Sequence, residues 1–131
     1  MDHRGTPDYP GRVATIVPDP KGVVWGVAYA LKGDRKKILA YLDHREKGGY
    51  QRLEFMVERS CGNELPVLCY VGQSDLPTYI GPEAEELTAE VIGRAKGPSG
   101  VNREYLKKLQ SSLAKLKISN PHVDRLVHLL P

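Results

Sequence analysis

Cysteine is scarce in this chain, and no motif that would bind a metal is complete. Its two cysteines, Cys61 and Cys69, form neither a CxxC pair nor a zinc-ligand spacing, so no disulfide framework is indicated. His44-x-Glu46 is half of a zinc deaminase signature, but no Pro-Cys-x-x-Cys follows. HExxH is missing as well. We therefore expect reduced thiols, a cytosolic location, and no metal or other cofactor.

Long apolar runs are also missing. No stretch approaches the ~20 residues that a membrane span requires, and the segment Met1-Asp2-His3-Arg4-Gly5 has no hydrophobic signal-peptide core. The formal net charge is +3, but the basic residues are interleaved with acidic ones and form no stripe that could follow a phosphate backbone. The sequence therefore predicts no membrane or nucleic-acid partner, and it leaves the oligomeric state open.

What is present is the composition of a globular protein. The 131 residues are 40% hydrophobic and 27% charged, which suits one domain with its own core. No internal repeat or long linker interrupts the sequence. We expect residues 1–131 to form a single domain.

The first half of the chain contains four predicted strands and a helix. Residues 12–17 are β-branched and residues 23–31 almost wholly apolar, so they predict a central hairpin whose second strand is buried on both faces. A short helix then runs over residues 34–43, with Asp34 as its N-cap and Ile38 and Leu42 on one face. Strands follow at 50–58 and 65–72, the first with Leu53, Phe55 and Val57 facing inward.

The last third is helical. A helix is predicted to begin at Pro82 and to end before Gly97, because acidic residues fill its first turn and basic residues its last. A second helix covers residues 102–118, and Asn120-Pro121 begins a third. Strands first and helices later predict an α+β fold.

Residues 41–50 carry the most unusual local sequence. Asp43, Arg45, Glu46 and Lys47 end a helix and meet the pair Gly48-Gly49. Paired glycines allow a tight turn or a close approach to a ligand, so a carboxylate at this point can project into a cleft. The alternative is a surface ion-pair cluster at a helix end, and composition alone favours it.

Two further segments could line a cleft. Residues 97–106 form a tight loop before a helix N-terminus, whose free N–H groups suit an anion, although a plain interhelix turn is the commoner case. Tyr79 in a proline-rich loop could contribute, or could simply pack. Cys69 lies in a predicted strand, where cysteines are usually inert. Neither GxSxG nor the phosphate-binding GxxxxGK[ST] occurs.

Taken together, the segments resemble the ChaC family of glutathione-specific γ-glutamylcyclotransferases. The resemblance covers most of the chain in order. It rests on the stretches Asp2–Gly5, Pro10–Val13, Val24–Tyr29, Tyr41–Asp43 with Arg45–Tyr50, Tyr79–Pro82, and Gly97–Gly100 with Asn102 and Glu104–Leu106. It implies a small β-barrel-like sheet flanked by helices, with Glu46 as the catalytic residue. Gly49, Tyr50 and Tyr105 are the expected substrate-binding residues.

The chemistry that the resemblance implies needs only one carboxylate, because the substrate supplies its own nucleophile. Glu46 would deprotonate the α-ammonium of the γ-glutamyl group, and the amine would attack the γ-carbonyl. Glu46 would then return the proton to the departing amine. Glutathione would give 5-oxoproline and cysteinylglycine, with ring closure favoured by the high effective concentration of an intramolecular reaction.

One feature of the resemblance is not met. It implies a strand and a Tyr-Gly-Ser-Leu loop upstream of Asp2, and this sequence contains neither. We expect weaker substrate and oxyanion recognition as a result, and an unpaired sheet edge. Three interpretations follow from the sequence: a glutathione-degrading enzyme, a truncated and weakly active or inactive isoform that acts as a binding partner, and an unrelated binding module.

Overall fold

The structure, a computed structural model, describes residues 3–131. The chain forms two compact units, one made of residues up to Ala14 together with Gly81–Pro131, and the other of Thr15–Ile80. We describe each unit by itself.

The Thr15–Ile80 unit contains a helix and a hairpin. Helix α1 covers Arg35–Arg45, and the side chain of its N-cap Asp34 accepts a hydrogen bond from the Lys37 N–H. Strands β1 (Tyr50–Glu58) and β2 (Glu64–Gly72) pair antiparallel, from Tyr50 opposite Gly72 to Glu58 opposite Glu64. The helix cap and both strands confirm the sequence predictions, because capping, alternation and a tight turn are local signals.

The other unit is built from three helices and a very short hairpin. These are α2 (Glu85–Arg94), β3 (Lys96–Gly97), β4 (Gly100–Val101), α3 (Asn102–Lys115) and α4 (Pro121–Leu129). Asn120 caps α4 by accepting from the Val123 N–H at 3.2 Å, as predicted. One hydrophobic cluster joins the three helices and consists of Ala89, Ile92, Leu106, Val123 and Leu126. Apolar residues of all three helices thus form the core of this unit.

The predicted central hairpin is wrong. Residues 12–17 form no strand, and only one backbone hydrogen bond, from the Gly72 N–H to the Ile16 carbonyl at 2.8 Å, joins them to β2. Residues 23–31 form no strand either, and Val24, Trp25 and Tyr29 are exposed to 71%, 68% and 84%. A strand needs a neighbour to satisfy its N–H and C=O groups, and within residues 3–131 none pairs with this segment.

Three smaller predictions also need correction. Helix α2 begins at Glu85 and not at Pro82, since Ala84 keeps an extended backbone. Phe55 is exposed rather than inward, while Leu53 and Val57 are half-buried. Helix α3 ends three residues early, and Lys117 follows with a φ of 57°.

Helices and antiparallel strands mix in this chain, as predicted for an α+β fold. Over residues 3–131 the strands form two two-stranded sheets and no closed barrel, so the barrel remains a prediction. None of the helices in the described part of the chain is long and apolar enough to cross a membrane.

Candidate active site

Glu46 lies where helix α1 ends. Its backbone N–H donates to the Leu42 carbonyl at 3.0 Å, which closes the last turn of the helix. The residue is half-buried. Over residues 3–131 its carboxylate forms no salt bridge and no hydrogen bond, whereas the sequence alone favoured an ion-pair cluster. The carboxylate is therefore available to a substrate.

The two glycines after Glu46 serve different purposes. Gly48 has a φ of 96°, a conformation that other residues rarely adopt. Gly49 is buried, and its carbonyl accepts a hydrogen bond from the Gln73 N–H at 3.0 Å. A Cβ at Gly49 would lie 2.7 Å from the Thr78 hydroxyl oxygen. The segment after Glu46 is thus turned by one glycine and packed closely by the other.

Tyr50 follows directly as the first residue of β1. It is half-buried, and its hydroxyl lies 3.1 Å from the hydroxyl of Thr15. Glu46, Gly49 and Tyr50 belong to one unit, with Glu46 at the end of α1, Gly49 in the turn and Tyr50 at the start of β1. A substrate-binding role for Tyr50 remains a prediction.

Tyr105, the fourth predicted site residue, belongs to the other unit. Its hydroxyl accepts a hydrogen bond from the Ala14 N–H at 3.0 Å, and the guanidinium of Arg4 lies 5.6 Å from the centre of its ring. These contacts hold the N-terminal segment against α3. A substrate-binding role for Tyr105 remains a prediction.

The loop at residues 97–106, for which the sequence left an anion site and a plain interhelix turn open, is bonded to other parts of the chain. The Ser99 N–H donates to the His3 carbonyl, and the Asn102 N–H donates to the Ala95 carbonyl, both at 2.9 Å. A Cβ at Gly97 would lie 2.5 Å from the Gly5 nitrogen. The N-terminal segment packs against this loop, which favours the interpretation as a structural turn.

A hydrogen-bonded cluster around Asp43, three residues before Glu46, was not predicted from the sequence. Asp43, in the last turn of α1, accepts a 2.6 Å hydrogen bond from the Tyr70 hydroxyl and forms a 3.0 Å salt bridge with Arg52. Partial burial and the bond to Asp43 raise the pKa of the Tyr70 phenol above its ordinary value. No local sequence pattern predicts this cluster, because its three residues lie on α1, β1 and β2.

A second unpredicted group lies in the helical unit. The Arg12 guanidinium binds both carboxylate oxygens of Glu83, at 2.9 and 3.0 Å, and the Thr88 hydroxyl donates to one of them at 2.7 Å. The Arg12 hydrogen bonds, and then that of Thr88, lower the pKa of the Glu83 carboxyl below its ordinary value. Over residues 3–131, no three His, Cys, Asp or Glu side chains are grouped to hold a metal ion.

The fold is that of the γ-glutamylcyclotransferases. The chain superposes on a crystal structure of the glutathione-specific γ-glutamyl cyclotransferase from yeast with a TM-score of 0.83 and 27% identity, over 98% of this chain and 79% of that one. A family model described as ChaC-like protein matches residues 1–130. The chain belongs to this ChaC-like family.

Curated relatives agree with this assignment. The γ-glutamylcyclotransferase 2-3 of Arabidopsis thaliana is 38% identical over 136 residues, covering 97% of this chain and 68% of the relative. The human glutathione-specific γ-glutamylcyclotransferase 1 is 42% identical over 112 residues, covering 82% of this chain and 50% of the relative. The rat protein of the same name is covered over 60% of its length. The chain thus spans between half and about two-thirds of the length of these relatives.

Proposed function

We propose that this protein is a glutathione-specific γ-glutamylcyclotransferase, a lyase that converts glutathione to 5-oxoproline and cysteinylglycine. The observation that carries the proposal is the half-buried Glu46 carboxylate, which has no partner among residues 3–131 and lies in a chain that matches the ChaC-like family from residue 1 to 130. Glutathione is proposed as the substrate because the relatives are named as glutathione-specific enzymes. The family match also removes the interpretation as an unrelated binding module.

Glu46 would act as base and then as acid. It removes a proton from the substrate α-ammonium, and the resulting amine attacks the γ-carbonyl carbon to form a five-membered ring. The tetrahedral intermediate then expels the amine of cysteinylglycine, which takes the proton from Glu46. Acid–base help of this kind is typically worth about 10²–10⁴-fold in rate. Both reacting groups belong to one molecule, so the enzyme has only to fix their orientation.

The residues around Glu46 favour this role. Gly48, with its φ of 96°, lets the chain turn directly after Glu46 without a side chain at that position. The family resemblance supports Tyr50 as a substrate-binding residue, and it gives Tyr105 the same proposed role. We treat residues 1–131 as one ChaC-like domain, since the family match is continuous. A cytosolic location is supported by the two free thiols, Cys61 and Cys69.

The test is product analysis by mass spectrometry after incubation of the purified chain with millimolar glutathione. We expect 5-oxoproline and cysteinylglycine in equal amounts, and a loss of about 10²–10⁴-fold in rate for Glu46→Gln. Glu58→Gln is the matched control, because Glu58 is an exposed carboxylate at the far end of β1. No product from a folded chain would overturn the proposal and would favour a non-catalytic binding partner, an alternative that the comparisons do not support.

A further inference from the structure

Asp43 joins helix α1 to both strands of the hairpin. One carboxylate oxygen accepts the Tyr70 hydroxyl at 2.6 Å, and the other pairs with the Arg52 guanidinium at 3.0 Å. Arg52 and Tyr70 lie directly opposite each other in the β1–β2 register. Side chains opposite each other in an antiparallel pair share one face, so a single carboxylate bonds to a cross-strand pair. The helix end is thereby held to the hairpin at two atoms.

The second attachment lies on the other side of Glu46. Three residues after Glu46, the Gly49 carbonyl accepts from the Gln73 N–H at 3.0 Å, and Gly49 packs without a side chain against Thr78. Asp43 precedes Glu46 by three residues. The backbone that carries Glu46 is therefore held at both ends, first by a side-chain cluster and then by a main-chain bond.

Neither attachment uses the Glu46 carboxylate itself. Both oxygens of Asp43 are occupied by protein groups, so Asp43 is poorly suited to exchange protons with a substrate. The Glu46 carboxylate has no such partners over residues 3–131. The two acidic residues at the end of α1 thus differ in what their oxygens contact. Asp43 bonds to the protein, whereas the Glu46 carboxylate is left for the reaction.

We infer that Asp43 is a positioning residue for Glu46. By binding Arg52 and Tyr70, it fixes the last turn of α1 on the hairpin and so fixes where the Glu46 carboxylate points. This inference rests on the proposed function of Glu46. A displacement of the reacting groups by about 1 Å can cost about 10²-fold in rate. The bonds of Asp43 are therefore important for catalysis, although Asp43 itself does not touch the substrate.

The first test is kinetic. Asp43→Asn keeps the size of the side chain but removes the anion, and Tyr70→Phe removes only the hydroxyl. We expect each to lower kcat about 10–100-fold with KM changed less than about threefold, since the positioning of Glu46 affects the reaction more than substrate binding. The double variant should lose little more than Asp43→Asn alone, because both changes break one cluster. Glu58→Gln is the control with unchanged activity.

The second test does not depend on activity. Amide hydrogen exchange should increase at residues 45–49 in Asp43→Asn while the paired amides of β1 and β2 keep their protection. Unchanged exchange together with an unchanged kcat would overturn the inference, as would a general loss of protection, which would mean that Asp43 only supports the fold. If Glu46→Gln has full activity, or the parent chain makes no product, the proposed function fails, and the exchange data still decide whether Asp43 fixes the segment that carries Glu46.

Discussion

The side-chain amide of Asn102 and the backbone of Arg12 exchange two hydrogen bonds. The Asn102 Oδ1 accepts from the Arg12 N–H at 2.7 Å, and its Nδ2 donates to the Arg12 carbonyl at 2.7 Å. Asn102 is 0% exposed. A buried amide bonded in this way satisfies both of its polar groups and both polar groups of a backbone residue 90 positions away. It fastens the N-terminal segment to the start of α3.

Asn102→Ala should therefore be strongly destabilising. It removes both hydrogen bonds between the buried Asn102 side chain and the Arg12 backbone, and the loss of a partner for a buried polar group costs about 1–3 kcal/mol. We expect the free energy of unfolding in urea to fall by about 2–4 kcal/mol. Asn63→Ala is the control, because Asn63 is exposed and its backbone carbonyl accepts a hydrogen bond from the Arg59 N–H. A loss below about 0.5 kcal/mol for Asn102→Ala would show that the two bonds contribute little.

The Arg12–Glu83 ion pair predicts a pH dependence of stability. Because the Glu83 pKa is lowered on folding, the folded protein binds fewer protons than the unfolded chain in acid. The pair's contribution is present above the ordinary glutamate pKa of about 4.3 and is lost as the pH falls through the lower pKa of the folded state. Thermal unfolding between about pH 7 and pH 3 should show this loss.

Glu83→Gln should remove that part of the acid sensitivity and lower stability at neutral pH by about 1–3 kcal/mol, since the Glu83 side chain is only 15% exposed and bonds a charged partner. Glu90→Gln on the same helix, whose pair with Arg94 is 51% and 66% exposed, should change stability by less than about 0.5 kcal/mol. Equal effects from the two substitutions would contradict the prediction.

The contact between Gly49 and Thr78 predicts a specific rescue. Gly49→Ala places a Cβ 2.7 Å from the Thr78 hydroxyl oxygen but 3.5 Å from its Cβ, so the clash involves the hydroxyl alone. We expect the substitution to cost about 1–3 kcal/mol in stability and to lower activity by shifting the turn after Glu46. Adding Thr78→Ala should restore most of the lost stability and most of the lost activity.

The matched control for this experiment is Gly26→Ala. A Cβ at Gly26 meets nothing within 4 Å, so its effect on stability should stay below about 0.5 kcal/mol. Additive losses in the Gly49→Ala, Thr78→Ala double variant would argue against a direct clash.

Trp25 makes the exposure of residues 23–31 measurable. It is the chain's single tryptophan and is 68% exposed. Its fluorescence emission should resemble that of the unfolded chain in urea, and acrylamide should quench it about as efficiently in both states. Emission shifted to shorter wavelength with little quenching would show that the segment is covered in solution, as the sequence pattern predicted.

Because Val23 and Val24, the neighbours of Trp25, are also exposed, Val24→Lys should raise solubility.

Only part of the candidate site could be predicted from sequence. Glu46, Gly49 and Tyr50 lie within five consecutive residues, so one unusual segment and the family resemblance together were enough to propose them. Arg52 and Tyr70 are ordinary strand residues, and nothing in their neighbours points to Asp43. The free state of the Glu46 carboxylate could not be foreseen either, because Asp43, and not Glu46, takes the nearby cation.

The sequence by itself determined the features that depend on a few consecutive residues. The caps at Asp34 and Asn120, the β1–β2 hairpin and the presence of three C-terminal helices are set by local hydrogen bonding, charge order and periodicity. Tertiary structure decided everything that needs a distant partner. Residues 23–31 have the composition of a buried strand, yet they stay exposed because a strand forms only where another strand satisfies its backbone. The bonds from Asn102 to Arg12 and from Asp43 to the hairpin exist only because folding brings separate elements together.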